Sequence, residues 1–348
     1  MKLSKNTYQL IIAPENLFAA WNIFKRDKRN RSDVAVFEHH LEEHIFQLHR
    51  ELQEKTYRHG PYRGFWIHDP KLRRINKTTV RDRVLHHAIF NILNPIFENT
   101  LISTAFSCRV GKGTHKGVQE VTKMLRRESR NYTRRCYALK CDVRKFFDSV
   151  DHTVLLDLLG RKIKDANTMW LLNEVVSSFA STRNLFQVRG VPIGNLTSQL
   201  FANIYMNELD QFVKHELKVK YYARYTDDFV IVSSDRAYLA QLIEPINRFL
   251  GEHLMLELHP KKVGIRTDRQ GIDFLGYVTL PHYVSVRTKT KRRIFRKLKE
   301  RVSDFRSDII TKETLLGSLR SYLGVFSHAD AHETEEELMN RFWFWLTE

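Results

Sequence analysis

The sequence predicts an α+β fold of directly packed subdomains, and three observations carry that reading. A central stretch, 136–262, reads strand, helix, helix, hairpin, helix, the order of a split βαβ or ferredoxin-like domain. The stretches on either side are mainly helical, and the C-terminal one is strongly basic. No repeat, Gly/Ser or Pro linker, or low-complexity segment interrupts the 348 residues.

In chain order, residues 14–26 read as a helix: Pro14 suits a first turn, and Leu17, Phe18, Trp21 and Phe24 share a face. A second amphipathic helix carries Phe37, Leu41, Ile45, Leu48 and Leu52 as its stripe. His59-Gly60-Pro61 breaks the chain. Two short extended pieces, 64–68 and 71–76, follow on either side of Asp69-Pro70 as a basic β-hairpin. Residues 79–94 return to helix, which Pro95 ends or kinks. A strand over 136–143 terminates in an aspartate, and 153–180 is helical. Residues 198–217 form another helix, 221–234 two strands around a tight turn, and 239–253 a further helix. Residues 272–286 are strand-rich, and the remainder is helical.

Lys and Arg total 57 against 40 Asp and Glu, a net charge of +17. Such a field attracts polyanions, of which nucleic acid is the commonest large one; an anionic membrane surface, or a merely soluble basic protein, is the rival. No apolar run approaches bilayer length and the first residues lack a signal peptide's apolar core, so the expectation is a cytoplasmic protein with no membrane partner. Cys108, Cys136 and Cys141 are too few and too irregularly spaced for a disulfide framework or zinc knuckle, and read as small, half-buried apolar residues. His40 and His44 sit four apart, but nothing near them completes a metal-ligand set, which favours a solvated helix face.

The chemistry rests on carboxylates. In Tyr221-Tyr-Ala-Arg-Tyr-Thr-Asp-Asp-Phe-Val-Ile-Val-Ser-Ser234, apolar strands flank Asp227-Asp228 and place two like charges at a hairpin turn. Such a pair costs stability unless a cation neutralises it. A third carboxylate, Asp142, ends another predicted strand, and faces Asp227 if the two strand systems pair. Hard oxygen ligands from Asp142, Asp227 and Asp228 suit two Mg²⁺ ions, or Mn²⁺ in their place, that complete their shells with substrate phosphates. Phosphoryl transfer needs mainly positioning and charge neutralisation, so this small set suffices.

These residues carry a resemblance. Asp142-Val143-Arg144-Lys145-Phe146-Phe147 resembles the first palm motif of reverse transcriptases, and Tyr225-Thr226-Asp227-Asp228 their Tyr-X-Asp-Asp box. Phe274-Leu275-Gly276-Tyr277 is similar to the motif supporting the primer end. Pro70-Lys71-Leu72-Arg73-Arg74-Ile75 and Val80-Arg81-Asp82-Arg83-Val84 resemble the fingers of bacterial retroelement enzymes. The resemblance covers about residues 57–330. It implies a right-hand polymerase: an N-terminal helical extension (1–56), fingers (57–135 with part of 155–190), a ferredoxin-like palm (136–285) and a helical basic thumb (286–348). It further implies a cytoplasmic enzyme of bacterial, archaeal or phage origin that takes template RNA, dNTPs and a cDNA primer or product.

The resemblance also assigns roles. Val143 joins Asp142, Asp227 and Asp228 in the implied metal-binding set. Phe147 falls where a ring beneath the incoming sugar excludes a 2′-hydroxyl; a plain core position is the alternative. Lys71 and Arg73 match finger residues that hold the triphosphate, with Arg74 and Arg81 as competitors. Lys262 matches a lysine that protonates leaving pyrophosphate, with Lys261 competing. On the C-terminal helix, Ile294, Leu298, Val302 and Phe305 form a core face, while Arg292, Arg296 and Lys299, with Lys291 and Arg306, fit a thumb riding a template–primer duplex.

Pro192-Ile193-Gly194 and Thr197-Ser198-Gln199 stand where most reverse transcriptases have Pro-Gln-Gly and Ser-Pro. This Ile-Gly-X-X-X-Ser-Gln pattern resembles the enzymes of diversity-generating retroelements, which copy a template-repeat RNA with errors at template adenines and work with a small basic accessory protein. Ile193, Gly194 and Gln199 are then expected near the nascent base pair. A retron or phage-defence reverse transcriptase is the nearest alternative. A non-catalytic RNA-binding scaffold and an RNA-directed RNA polymerase stand further off.

Overall fold

The computed structural model describes residues 6–68, 72–183 and 187–348, a mixture of helix and sheet. Its strands are β1 (Arg63–Ile67), β2 (Arg73–Lys77), β3 (Tyr137–Asp142), β4 (Thr182–Arg183), β5 (Val188–Arg189), β6 (Tyr221–Tyr225), β7 (Asp228–Ser233), β8 (Gly264–Thr267), β9 (Ile272–Phe274), β10 (Tyr277–Leu280) and β11 (Tyr283–Val286). The chain divides into two compact units: Met1–Cys108, Asp142–Lys218 and Glu244–Lys261 form the first, and Arg109–Cys141, Val219–Ile243 and Lys262–Glu348 the second.

The first unit is built on the Val80–Glu98 helix. Its N-cap, Thr79, accepts the Asp82 N–H, and Val84, Leu85, Ala88, Ile89 and Leu93 form its buried face. The Pro14–Phe24 and Leu196–Gln211 helices pack against it. Of the two outcomes expected at Pro95, an end or a kink, the first does not occur: the helix runs on to Glu98, and Pro95 in its last turn removes one N–H from the i→i−4 ladder. A Thr7–Ile12 helix precedes the one predicted at Pro14. The stripe predicted from Phe37 to Leu52 is split between helices Ser32–His39 and Leu41–Gln53, because His40 leaves helical geometry at φ −115°, ψ 37°. The predicted 153–180 helix is likewise two, His152–Lys162 and Ala166–Ser177, since Asp165 caps a new N-terminus by accepting the Asn167 and Thr168 N–H groups. The Leu196–Gln211 helix continues in a π-helical turn, Phe212–Glu216. β1 and β2 pair antiparallel as predicted, Phe65 opposite Ile75 and Ile67 opposite Arg73.

The second unit holds a four-stranded sheet in the order β6-β7-β3-β8, the strand order of a split βαβ domain. β8 closes the pattern and was not among the predicted elements. Nor was the Thr114–Glu128 helix, which lays Val118, Val121, Met124 and Leu125 against this sheet. β9, β10 and β11 form a separate antiparallel sheet. Three helices follow, Thr288–Arg306, Lys312–Phe326 and His332–Thr347, around a core that includes Ile294, Leu298, Val302, Leu319 and Phe342. Phe305, predicted on that core face, packs at its margin. Cys136 and Cys141 are buried, whereas Cys108 is exposed rather than half-buried. Among the described residues no helix is long and apolar enough to cross a membrane.

Candidate active site

Tyr225 pairs with Asp228, so Thr226 and Asp227 form a two-residue turn between β6 and β7. Thr226 sits at φ 55°, an unusual backbone for a β-branched residue. The turn is held from beneath: Arg224, 1% exposed, donates from Nη1 to the Thr226 carbonyl at 3.0 Å. Tyr222, Ala223, Phe229, Val230 and Ile231 are buried on both strands, so the half-buried Asp227 and Asp228 project from a rigid sheet end.

β3 is the sheet neighbour of β7. Near its C-terminal end, Lys140 Nζ lies 3.4 Å from Asp228 Oδ2 and donates to the Asp273 carbonyl at 2.8 Å. Burial, then the Asp228 carboxylate, push the Cys141 thiol up to about 12, so it is a neutral wall residue. Asp142 is the last residue of β3, where the chain passes into the first unit. There its carbonyl accepts the His259 N–H at 2.8 Å, and the buried Val143 bridges Leu258. Among the described residues no three His, Cys, Asp or Glu side chains are gathered that could by themselves hold a metal ion. In donor chemistry the aspartates fit Mg²⁺: hard carboxylate oxygens, few in number, that leave room for water and phosphate ligands.

The first unit brings together most of the predicted nucleotide-binding residues. The β3 strand does not persist to Phe147; a helical turn, Phe146–Ser149, follows Lys145 at φ 44°. Phe146 is buried and Phe147 half-buried, its carbonyl accepting the Val191 N–H at 2.8 Å. Just beyond Val191, the Ile193 carbonyl accepts the Asn76 N–H of β2 at 3.2 Å. Gly194 follows at φ 116°, so close to β2 that a Cβ would lie 3.0 Å from Ile75 Cγ2. Gln199 lines the same cavity as Gly194 and Ile75. Arg73 and its competitor Arg74 are exposed on β2. Lys71 lies outside the described residues.

The remaining predicted residues belong to the second unit. Lys262 is exposed just before β8. Phe274 and Tyr277 are buried, with the Tyr277 hydroxyl donating to the Val325 carbonyl at 2.9 Å. What the motif offers outward is its turn, Leu275 at φ 53° and Gly276 at φ 94°, the pair of positive angles of a type I′ hairpin. Arg292, Arg296 and Lys299 are exposed along one side of the Thr288–Arg306 helix.

Sequence reasoning missed Arg224, Lys140 and Asn195. It also missed a buried network in which Asp82 accepts from Tyr57, Thr78 and Thr79 hydroxyls. Beside it, His59 Nε2 meets His86 Nε2 at 3.2 Å, and His86 Nδ1 meets Thr197 Oγ1 at 2.7 Å. His59 Nδ1 can only donate to the Gly60 carbonyl, 2.7 Å away. His86, kept neutral by burial, has one N–H; given to His59 Nε2, it leaves Nδ1 to accept from the Thr197 hydroxyl. The network fixes the first turn of the Leu196–Gln211 helix, next to Gln199. The run of polar residues between 57 and 82 was its only sequence signal.

The model of the family described as reverse transcriptase (RNA-dependent DNA polymerase) matches residues 67–279. The chain is similar to Protein YkfC of Escherichia coli (strain K12), 27% identical over 66% of this chain and 69% of that protein. It is similar to Group II intron-encoded protein LtrA of Lactococcus lactis subsp. cremoris, 22% identical over 78% of this chain and 56% of the relative. The Putative COX1/OXI3 intron 2 protein of Saccharomyces cerevisiae is 21% identical over 67% of this chain and 34% of its own length. The chain thus spans 56% or less of these intron-related proteins.

Proposed function

This chain belongs to the reverse transcriptase family of RNA-directed DNA polymerases, and from that membership we propose that it copies a template-repeat RNA into cDNA with errors concentrated at template adenines. The observation carrying the proposal is Ile193 followed by Gly194 and Gln199. An isoleucine offers no hydrogen bond to a templating base or incoming nucleotide, where glutamine would. Loss of that polar restraint loosens base-pair geometry at the point of selection.

In this reading 1–56 are an N-terminal helical extension, 57–135 with part of 155–190 the fingers, 136–285 the palm and 286–348 the thumb of a right-hand polymerase. Asp142, Asp227 and Asp228, with Val143 beside them, would hold Mg²⁺, which when bound supplies activation of the primer hydroxyl and charge neutralisation at leaving pyrophosphate. The chain's own residues do the rest. Arg73 and Lys71 hold the triphosphate, Phe147 bars a 2′-hydroxyl, and Lys262 delivers a proton to pyrophosphate. The Leu275–Gly276 turn supports the primer end, while Arg292, Arg296 and Lys299 track the duplex backbone without reading its sequence. A small basic accessory protein is the expected partner.

Sequencing cDNA made on a defined RNA template by wild type and by Ile193→Gln tests the proposal. Errors should cluster at template adenines in the wild type and fall in the variant. A flat error spectrum, or one unchanged by the substitution, would overturn it.

A further inference from the structure

Arg287 stands where the separate sheet of the second unit gives way to its helices. It follows β11 directly and is the N-cap residue of the Thr288–Arg306 helix, its carbonyl accepting the Lys291 N–H at 3.0 Å. Its own N–H donates to the Gly276 carbonyl at 3.0 Å, in the turn between β9 and β10. Its guanidinium Nη2 donates to Asp273 Oδ1, one residue before Phe274 on β9. One residue thus holds the Leu275–Gly276 turn by its backbone and β9 by its side chain, and opens the helix that carries Arg292, Arg296 and Lys299. Its neighbour Val286 packs against the core of the three C-terminal helices, so Arg287 lies at their root.

The pair is built into the fold rather than laid on its surface. The Asp273 and Arg287 side chains are 31% and 35% exposed, so water screens them less than a fully exposed ion pair. Arg287 Nε is shut off from solvent and has no hydrogen-bond partner among the described residues. Unpaired buried donors are rare, and this one marks a guanidinium placed for its contact with Asp273. On the other side, the Asp273 carbonyl accepts from the Lys140 ammonium that stands 3.4 Å from Asp228. A line of polar contacts therefore runs from Asp228 through Lys140, Asp273 and Arg287 to the Gly276 carbonyl. Arg287 lies beyond residues 67–279, outside the segment matched by the family.

We infer that Arg287 is a positioning residue: through Asp273 and the Gly276 carbonyl it fixes the Leu275–Gly276 turn relative to Asp228, and with it the primer 3′-hydroxyl which that turn supports. The inference rests on the polymerase reading of the turn. Arg287 touches no reacting atom; it holds the turn in place while the adjoining helix carries a bound duplex. Displacing a reacting oxygen by about 1 Å can cost roughly a hundredfold in rate, so a loosened turn slows the chemical step more than it weakens binding.

Single-turnover primer extension on an RNA template tests this, with dNTP affinity taken from the concentration dependence and primer–template affinity from fluorescence anisotropy. Arg287→Gln should slow the rate at saturating dNTP about thirtyfold, with both affinities within about twofold of wild type. Asp273→Asn breaks the same pair from its other end and should reproduce that loss, with little further loss in the double variant. Arg287→Lys, which keeps a point charge toward Asp273, should recover part of the rate. Wild-type rates in Arg287→Gln or Asp273→Asn would overturn the inference. So would losses that multiply in the double variant, or affinities that fall as far as the rate. If Arg287→Gln does not fold, Asp273→Asn decides by the same comparison of rate with affinity. A wild type that extends no primer refutes the polymerase reading and the inference together; an active wild type with unaffected variants refutes the inference alone.

Discussion

The Lys140 ammonium stands 3.4 Å from the Asp228 carboxylate, between the neighbouring strands β3 and β7. It also donates to the Asp273 carbonyl, so one lysine ties the Asp-Asp turn to β9. A divalent ion arriving at Asp228 competes with this ammonium. At such a separation in a solvent-like dielectric the attraction is about 1 kcal/mol. Lys140→Gln should therefore let Mg²⁺ saturate primer extension at about fivefold lower concentration. A Mg²⁺ titration of both proteins checks this; a higher requirement in the variant would mean that Lys140 positions Asp228 instead of competing for it.

Thr226 carries backbone strain at φ 55° in the turn that presents Asp227. Glycine occupies that region freely, and strain of this kind is worth about 1–3 kcal/mol. Thr226→Gly should raise the denaturant midpoint, offset in part by the flexibility glycine adds to the unfolded chain. A lowered midpoint would show that the threonine side chain contributes more than its backbone costs.

Gly194 is constrained on two counts: its φ is 116°, and a Cβ added there would meet Ile75 at 3.0 Å. Gly194→Ala should cost about 2 kcal/mol in denaturant unfolding. It should also disturb the Asn76–Ile193 hydrogen bond that anchors β2. Unchanged stability would contradict the close packing of this segment on the hairpin.

Burial, then the neighbouring His59, lower the His86 pKa to about 3. Above about pH 6.5, the ordinary histidine value, His86 is neutral in both folded and unfolded states and contributes no pH dependence. As pH falls from there toward 3 the unfolded chain takes up a proton that folded His86 refuses, so stability falls and then levels. His86→Gln, which keeps hydrogen-bonding groups toward Thr197 and His59, should flatten the stability profile between pH 6.5 and 4. An unaltered profile from denaturant melts across that window would contradict the buried neutral histidine.

The Asp-Asp hairpin was legible because both its strands are apolar runs around a short turn, a local signal. The β1–β2 hairpin and the core stripe of Ile294, Leu298 and Val302 were legible for the same reason. The Thr114–Glu128 helix was not, because His115, Lys116, Lys123, Arg126 and Arg127 dilute its narrow apolar face. β8 has four residues with alternating exposure, too little pattern to detect without its partner β3. Lys140 and Arg224 read as ordinary strand residues; only the sheet reveals that one meets Asp228 and the other holds the Thr226 carbonyl. The cavity beside Gly194 combines residues from 24 to 199, a juxtaposition that no local pattern carries.

The most direct test of the polymerase assignment is primer extension on an RNA template with dNTPs and Mg²⁺, comparing wild type with Asp227→Asn. Template-directed DNA synthesis is expected from the wild type, and at least a roughly hundredfold loss in the variant, with thermal melting unchanged. Synthesis at the wild-type rate by Asp227→Asn, or a wild type that incorporates ribonucleotides and rejects dNTPs, would contradict the assignment.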